Sequence, residues 1–107
     1  MRIDIKPLSV NDAWRGRRFR TNKYKNYQIE LMYKLPALNV PKGIKLSLNI
    51  CFGFSSSGSD IDNPLKPLID TLQKKYKFND NQIYELSIKK KLVKKGSEFI
   101  EFEINEY

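Results

Sequence analysis

Hydrophobic and polar residues alternate along several stretches of the chain, with the period of two that is typical of a half-buried β-strand. The longest uninterrupted alternation covers residues 44–54. Similar patterns cover residues 83–93 and 99–105, and a shorter one around residues 3–5 ends at Pro7. We therefore predict four strands, of which the strand at 44–54 has the strongest pattern.

The last two predicted strands are separated by the turn-forming residues 94–97. A short turn of this kind favours a β-hairpin. In a hairpin, Lys89 and Lys91 lie across from Glu103 and Glu101, so part of the basic charge here is expected to serve cross-strand pairing.

Two other stretches repeat their apolar residues at the spacing of an amphipathic helix. The first begins at Asn22, which we predict as its N-cap, and ends before Pro36. The second has Asn63 as the predicted N-cap and Pro64 at the first helical position, followed by an apolar stripe over residues 65–76.

These elements follow one another in the order β-α-β-α-β-β, and 107 residues is the length of a single domain. We predict an α+β fold over residues 1–107, with a mixed sheet and helices packed on it. Tyr24 and Tyr27 share the stripe of the first helix with Leu31, which favours a place in the core over a role in stacking on bases.

Composition limits the chemistry that the chain can perform. It has a net charge of +8, one cysteine and no histidine. Cys51 therefore has no disulfide partner within the chain, and there is no imidazole to bind zinc or act as a base. No apolar run is long enough to span a membrane, and the alternating N-terminus is unlike a signal segment. We expect a cytoplasmic protein without a membrane anchor or a small-molecule cofactor.

Residues 8–22 lack apolar periodicity and are rich in arginine, so we predict a solvent-facing loop. Two interpretations remain open. The loop is either simply solvated, or it is an arm that grips phosphate through arginine forks while Trp14 or Phe19 stacks on a base.

An acidic cluster interrupts this basic chain. Asp60 and Asp62 are two residues apart, Lys66 and Asp70 follow on the second helix, and Asp80 precedes the third long strand. A divalent cation such as Mg²⁺ relieves the repulsion among carboxylates, and a basic surface around such a site indicates phosphodiester chemistry on nucleic acid. The simpler alternative is that these residues form a helix cap and an i, i+4 ion pair.

These residues also carry a resemblance. Asp60-x-Asp62-Asn63-x-x-Lys66-x-x-x-Asp70, followed by Asn79-Asp80-x-Gln82-Ile83 before a strand, resembles the signature of the RusA family of Holliday junction resolvases, which are common on bacteriophage and prophage genomes. The upstream pattern Pro7-x-Ser9-x-Asn11-x-x-Trp14-Arg15 resembles the N-terminal segment of that family.

The resemblance implies a homodimeric endonuclease of DNA recombination and repair that uses Mg²⁺ or Mn²⁺ to nick opposing strands of a four-way or other branched DNA junction. It implies that Asp60, Asp62 and Asp80 hold the metal, that Lys66 is needed for catalysis, and that Asp70 and Asn63 support the site. The residues that we expect to contact DNA are polar or basic and lie in or beside the N-terminal loop: Asn11, Arg15, Arg17, Arg18, Arg20 and Lys23.

Two other functions remain open at this point. The chain could bind branched DNA as a structural or regulatory factor without cutting it, or its acids could serve only as caps and ion pairs. Paired cuts related by a two-fold axis require two acidic sites, so the resolvase interpretation predicts a dimer. Val93 or Phe99, on the outer side of the predicted hairpin, are candidates to seal its interface.

Overall fold

The computed structural model describes residues 1–16 and 19–107. In chain order the elements are β1 (Arg2–Ile3), α1 (Val10–Ala13), β2 (Trp14–Arg15), β3 (Phe19–Arg20), α2 (Asn22–Lys34), β4 (Leu46–Phe54), α3 (Leu65–Tyr76), a 3₁₀ turn (Asp80–Gln82), β5 (Ile83–Leu92) and β6 (Phe99–Glu106). The two long helices and the three long strands thus confirm the predicted order. The segment predicted as a loop differs, because it contains α1 and the small β2–β3 ribbon.

The main sheet has the strand order β1-β6-β4-β5. Its central strand, β4, runs parallel to β5 and antiparallel to β6. The sheet is therefore mixed, as predicted, and α3 is the crossover that a parallel pair of strands requires. The fold is α+β.

The predicted hairpin between the last two strands is wrong. β5 and β6 lie on opposite sides of β4, so that Lys89 and Glu101 both pair with Cys51 and not with each other. The reason is the burial of β4, whose apolar residues contact partners on both sides. Residues 93–98 connect β5 to β6 across the end of β4, where the Val93 amide donates to the Phe54 carbonyl at 2.7 Å.

The core lies between the sheet and the two long helices. Its fully buried members include residues from both layers, namely Tyr24, Leu31, Leu68, Leu72, Phe52, Ile100 and Phe102. Tyr24 and Tyr27 are both buried, which confirms their predicted place in the core. Phe99 is 3% exposed under the Arg2 guanidinium, so it is not available to seal a dimer as proposed from the sequence.

Both predicted helix caps are wrong by one residue. The side chain of Thr21, not Asn22, accepts the first-turn hydrogen bond in α2, from the Tyr24 amide at 3.2 Å. α3 begins after Pro64 without a side-chain cap, and the Asn63 side-chain amide donates to the Asp60 carboxylate. Across residues 1–16 and 19–107, none of the helices combines the length and the apolar character needed to cross a membrane.

Candidate active site

The acidic doublet lies where β4 ends. After Phe54 the chain passes through the serine loop, residues 55–59, and Asp60 and Asp62 follow in the turn that leads into α3. Both side chains are exposed, and the Asp60 carboxylate accepts a hydrogen bond from the Asn63 side-chain amide at 3.3 Å. The Leu65 amide donates to the Asp62 carbonyl at 3.0 Å. Backbone and amide bonds thus hold the turn while the carboxylates face solvent.

The serine loop is tethered from two sides. The Lys90 ammonium, on β5, donates to the Ser57 carbonyl at 3.0 Å and also to the Ser59 carbonyl. On the other side the Ser55 hydroxyl donates to the Glu98 carboxylate at 2.8 Å. The backbone amide of Glu98 itself and the Ser55 hydroxyl lower the pKa of Glu98, because hydrogen bonds to a carboxylate favour its charged form. These bonds link the position of Asp60 to strand β5 and to the connection after it.

A cavity of about 250 Å³ opens beside the doublet. Its lining includes the acidic residues Asp12, Asp60 and Glu98 together with Lys6. The Val10 amide of α1 donates to the Asn63 carbonyl at 2.8 Å, which fixes the N-terminal segment against the acidic turn. The N-terminal segment therefore forms one wall of the site.

Lys66 and Asp70 pair along α3. The Lys66 ammonium lies 3.4 Å from the Asp70 carboxylate, and the Lys66 side chain is 63% exposed. The Tyr24 hydroxyl donates to the same carboxylate at 3.3 Å. Burial, followed by the charge of Asp70, raises the pKa of Tyr24, so its hydroxyl stays protonated as a donor. A buried tyrosine of α2 thus orients the acid that holds the lysine.

Asp80 lies at the opposite end of the sheet from the doublet. It opens the 3₁₀ turn before β5, and its amide donates to the Gln73 side chain at 2.8 Å. Because β4 and β5 are parallel, the start of β5 lies beside Leu46 and not beside Phe54. The nine residues of β4 span about 26 Å at the usual rise. One chain therefore brings Asp60 and Asp62 together but leaves Asp80 apart from them.

The other possible ligands of the chain do not make up for this separation. Within the residues that the structure describes, no group of three or more acidic, histidine or cysteine side chains is placed to hold a metal ion. Asp60 and Asp80 are close in the sequence motif because α3, the crossover helix between them, is short. The same crossover carries them to opposite ends of the sheet.

The predicted DNA-contacting arm is a two-stranded ribbon. Trp14 pairs with Arg20 and Arg15 pairs with Phe19. Phe19 is 71% exposed, whereas Trp14 packs edge-on against Tyr24 with ring centroids 5.4 Å apart. Of the two aromatic residues, Phe19 is the one whose ring is free to stack on a base.

The other predicted contact residues surround this ribbon. Three of them are exposed: Asn11 on α1, Arg15 on β2, and Lys23 in the first turn of α2. Arg20 is exposed as well, and its guanidinium donates to the Gln28 side chain at 2.7 Å. Arg17 and Arg18 lie outside the described residues. The four described residues thus present basic or polar groups to solvent beside the N-terminal wall of the site.

Sequence reasoning missed Tyr24, Lys90 and Glu98 as supports of the site. Only Lys90 carried a usable signal, because it occupies an apolar position of β5, between Ile88 and Leu92 on the helix-facing side. A charge at such a position needs a polar partner, and the serine-loop carbonyls are that partner.

Comparison with known proteins identifies the family. The family model described as Endodeoxyribonuclease RusA matches residues 6–104, a range that includes the arm, the acidic turn, α3 and Asp80. No curated protein matches the chain. Because the match covers nearly all of its 107 residues, the chain belongs to the RusA family of endodeoxyribonucleases, which resolve Holliday junctions.

Proposed function

We propose that this protein resolves four-way DNA junctions by paired, symmetric nicks in a reaction that requires Mg²⁺ or Mn²⁺, and that a phage or prophage encodes it. The observation that carries the proposal is the exposed Asp60-x-Asp62 doublet beside Lys66 in a chain of net charge +8. A basic surface draws in the phosphate backbone, and the doublet supplies carboxylates at which a cation can join it.

The doublet suits a hard divalent cation. Mg²⁺ commonly takes one or two carboxylates and keeps several waters, and the two exposed side chains of Asp60 and Asp62 offer that donor set. A cation bound there supplies positive charge that stabilises the phosphate in the transition state. Asn63 supports this role by fixing the Asp60 carboxylate through its amide.

Lys66 supplies the second positive charge. Its ammonium is exposed enough to reach a phosphate oxygen, and its pairing with Asp70 limits the positions that it samples. A lysine held in this way stabilises negative charge that develops on the phosphate during attack. Asp70 and Tyr24 act through Lys66, and we assign them a positioning role.

The distance to Asp80 supports a site built from two chains. Asp80 and the doublet lie at opposite ends of β4, which spans about 26 Å, so within one chain they are too far apart to share a cation whose bonds to oxygen are about 2.1 Å long. We therefore assign to each site the doublet of one subunit and Asp80 of the partner subunit. A dimer arranged in this way has two identical sites, which is the symmetry that paired nicks require.

The second candidate is a protein that binds branched DNA without cutting it. The isolated position of Asp80 within one chain favours it if the protein remains a monomer, because the proposed set of three carboxylates then never assembles. In that case the basic ribbon still binds the junction.

A nicking assay tests the proposal. A synthetic four-way junction, labelled in turn on each strand, is incubated with the protein in Mg²⁺, beside a linear duplex of the same sequence and the Asp60→Asn variant. We expect symmetric nicks on two opposing strands of the junction, an intact duplex and no cutting by the variant. Tight junction binding with no nicks in either Mg²⁺ or Mn²⁺ would establish the binding protein instead.

A further inference from the structure

The serine loop, residues 55–59, carries the chain from β4 to the acidic doublet with little packing of its own. Its first four residues are exposed and the last, Ser59, is half-buried. A run of serine and glycine that buries no apolar side chain is flexible unless hydrogen bonds hold it. The position of Asp60, which follows this loop, therefore depends on the bonds that the loop makes.

Lys90 holds this loop at two points. Its ammonium donates to the Ser57 carbonyl at 3.0 Å and to the Ser59 carbonyl. The second carbonyl belongs to the peptide unit that joins Ser59 to Asp60, and a peptide unit is planar. The ammonium thus fixes the backbone at Asp60 through one rigid group.

The surroundings of Lys90 favour bonds to the loop over bonds to water. Lys90 is half-buried beside Phe52 in the register of β4 and β5, and its ammonium lies 5.9 Å from the centre of the Phe54 ring. An ammonium in partly apolar surroundings loses hydration and needs other acceptors. Hydrogen bonds from a charged donor are about twice as strong as neutral ones, so the two carbonyls offset this loss.

The other tether of the loop acts further from the doublet. The Ser55 hydroxyl donates to the Glu98 carboxylate at 2.8 Å, but Ser55 directly follows Phe54, which already pairs with Leu92. This bond therefore holds a point that the sheet holds as well. Lys90 is the tether that reaches the residue next to Asp60.

We propose that Lys90 is a positioning residue for the metal site, and that its ammonium serves as a built-in monovalent cation around which the serine loop folds. The inference rests on the proposed function, because it takes the doublet as the place where Mg²⁺ or Mn²⁺ binds. With Lys90 in place, the backbone at Asp60 is ordered before the metal binds. Without Lys90, metal binding must also order the loop, so the apparent affinity falls with the fraction of molecules whose loop is ordered.

Lys90→Met tests this role, because methionine keeps an unbranched side chain but removes the charge and the N–H donors. We expect Mn²⁺ binding, measured without DNA, to weaken about tenfold, and the Mg²⁺ concentration for half-maximal nicking to rise by the same factor. The maximal rate at saturating Mg²⁺ should stay near that of the wild type, because excess metal orders the loop. The free energy of unfolding should be unchanged or higher, because methionine suits an apolar position and the exposed loop carbonyls can bond to water.

Two matched variants serve as controls. Lys89→Met makes the same change at the neighbouring residue, whose exposed side chain lies on the other face of the sheet, and it should keep the wild-type Mn²⁺ affinity. Ser55→Ala removes the bond to Glu98, and it should weaken Mn²⁺ binding less than Lys90→Met does.

Chemical rescue tests the cation itself. Lys90→Ala leaves room where the ammonium lay, and added methylammonium chloride can donate to the same two carbonyls. We expect it to restore most of the Mn²⁺ affinity. Tetramethylammonium chloride at the same concentration, which has equal charge and no N–H donor, should restore none. Wild-type protein and Lys89→Met should respond equally to the two salts.

The outcomes separate the role of Lys90 from the proposed function. A junction-cutting protein in which Lys90→Met keeps the wild-type Mn²⁺ affinity, or in which both salts act equally on Lys90→Ala, overturns the role of Lys90 and leaves the function in place. A parallel loss of unfolding free energy and maximal rate in Lys90→Met also overturns it, because the lysine would then only stabilise the fold. Selective rescue of Mn²⁺ binding by methylammonium in a protein that never nicks a junction supports the role of Lys90 and rejects the function.

Discussion

A mixture of two inactive variants gives the sharpest test of a site shared between subunits. Asp62→Asn removes a carboxylate from the doublet, and Asp80→Asn removes the distant one. In a mixed dimer with a shared site, one site combines both changes and the other combines the intact doublet with an intact Asp80. If each chain instead built its own site, both sites of the mixed dimer would contain one change.

The expected yield follows from this geometry. After complete exchange of an equimolar mixture, about half of the dimers are mixed, and each mixed dimer has one intact site of two. Nicking should therefore recover to about a quarter of the wild-type level. Each mixed dimer cuts one strand only, so nicked junctions accumulate while resolution into two duplexes stays near zero.

The assay needs two supporting measurements. Subunit exchange is followed with a size tag on one variant, and Mn²⁺ binding to the mixture is titrated directly, with about a quarter of the wild-type high-affinity sites expected. A mixture that exchanges subunits and binds junctions but recovers neither nicking nor Mn²⁺ sites would refute the shared site. Because the doublet and Asp80 lie at opposite ends of β4, which spans about 26 Å, one rigid chain cannot bring its three carboxylates to the same cation.

Three further results are expected. Asparagine in place of each proposed ligand in turn, Asp60, Asp62 or Asp80, should abolish nicking. Junction binding should stay equal or become tighter, because each change removes a negative charge near phosphate. Near wild-type cutting by any one variant would show that its residue is not a ligand. Glutamine should replace all four arginines of the arm together, Arg15, Arg17, Arg18 and Arg20. We expect weaker junction binding, and a slope of log binding constant against log salt concentration that is smaller by about 0.9 for every phosphate no longer neutralised. An unchanged slope would show that the arm is only solvated. Tyr24→Phe should lower the free energy of unfolding in urea by about 1 kcal/mol and slow nicking, because Asp70 loses a hydrogen bond and holds Lys66 less firmly. Tyr27→Phe is the control and should be neutral or stabilising, because the buried Tyr27 hydroxyl has no partner among the described residues. Equal effects of the two variants would show that Tyr24 does not support the site.

Much of the secondary structure was predictable because it depends on local periodicity. The alternation at 44–54 and the helical stripe after Pro64 each indicate which side of an element is buried, and both elements formed where predicted. The acidic doublet was equally visible, because two carboxylates separated by one residue stay close along the chain whatever the fold.

Strand partners were not predictable in the same way. Alternation in β5 and β6 indicates a buried side but does not identify the neighbouring strand. The short connection at 93–98 made a hairpin the local solution. The burial of β4 between both strands decided otherwise, and that preference depends on contacts distant in sequence.

The place of Asp80 depends most strongly on tertiary structure. In the sequence it is the fourth acid of one motif, ten residues after Asp70. In the fold, α3 returns the chain along the sheet so that β5 can run parallel to β4, and Asp80 comes to the end opposite Asp60. The sequence by itself determined which carboxylates this protein has and which elements present them. Only the tertiary structure decided that one chain keeps them apart, because a parallel crossover must begin and end at opposite ends of the sheet.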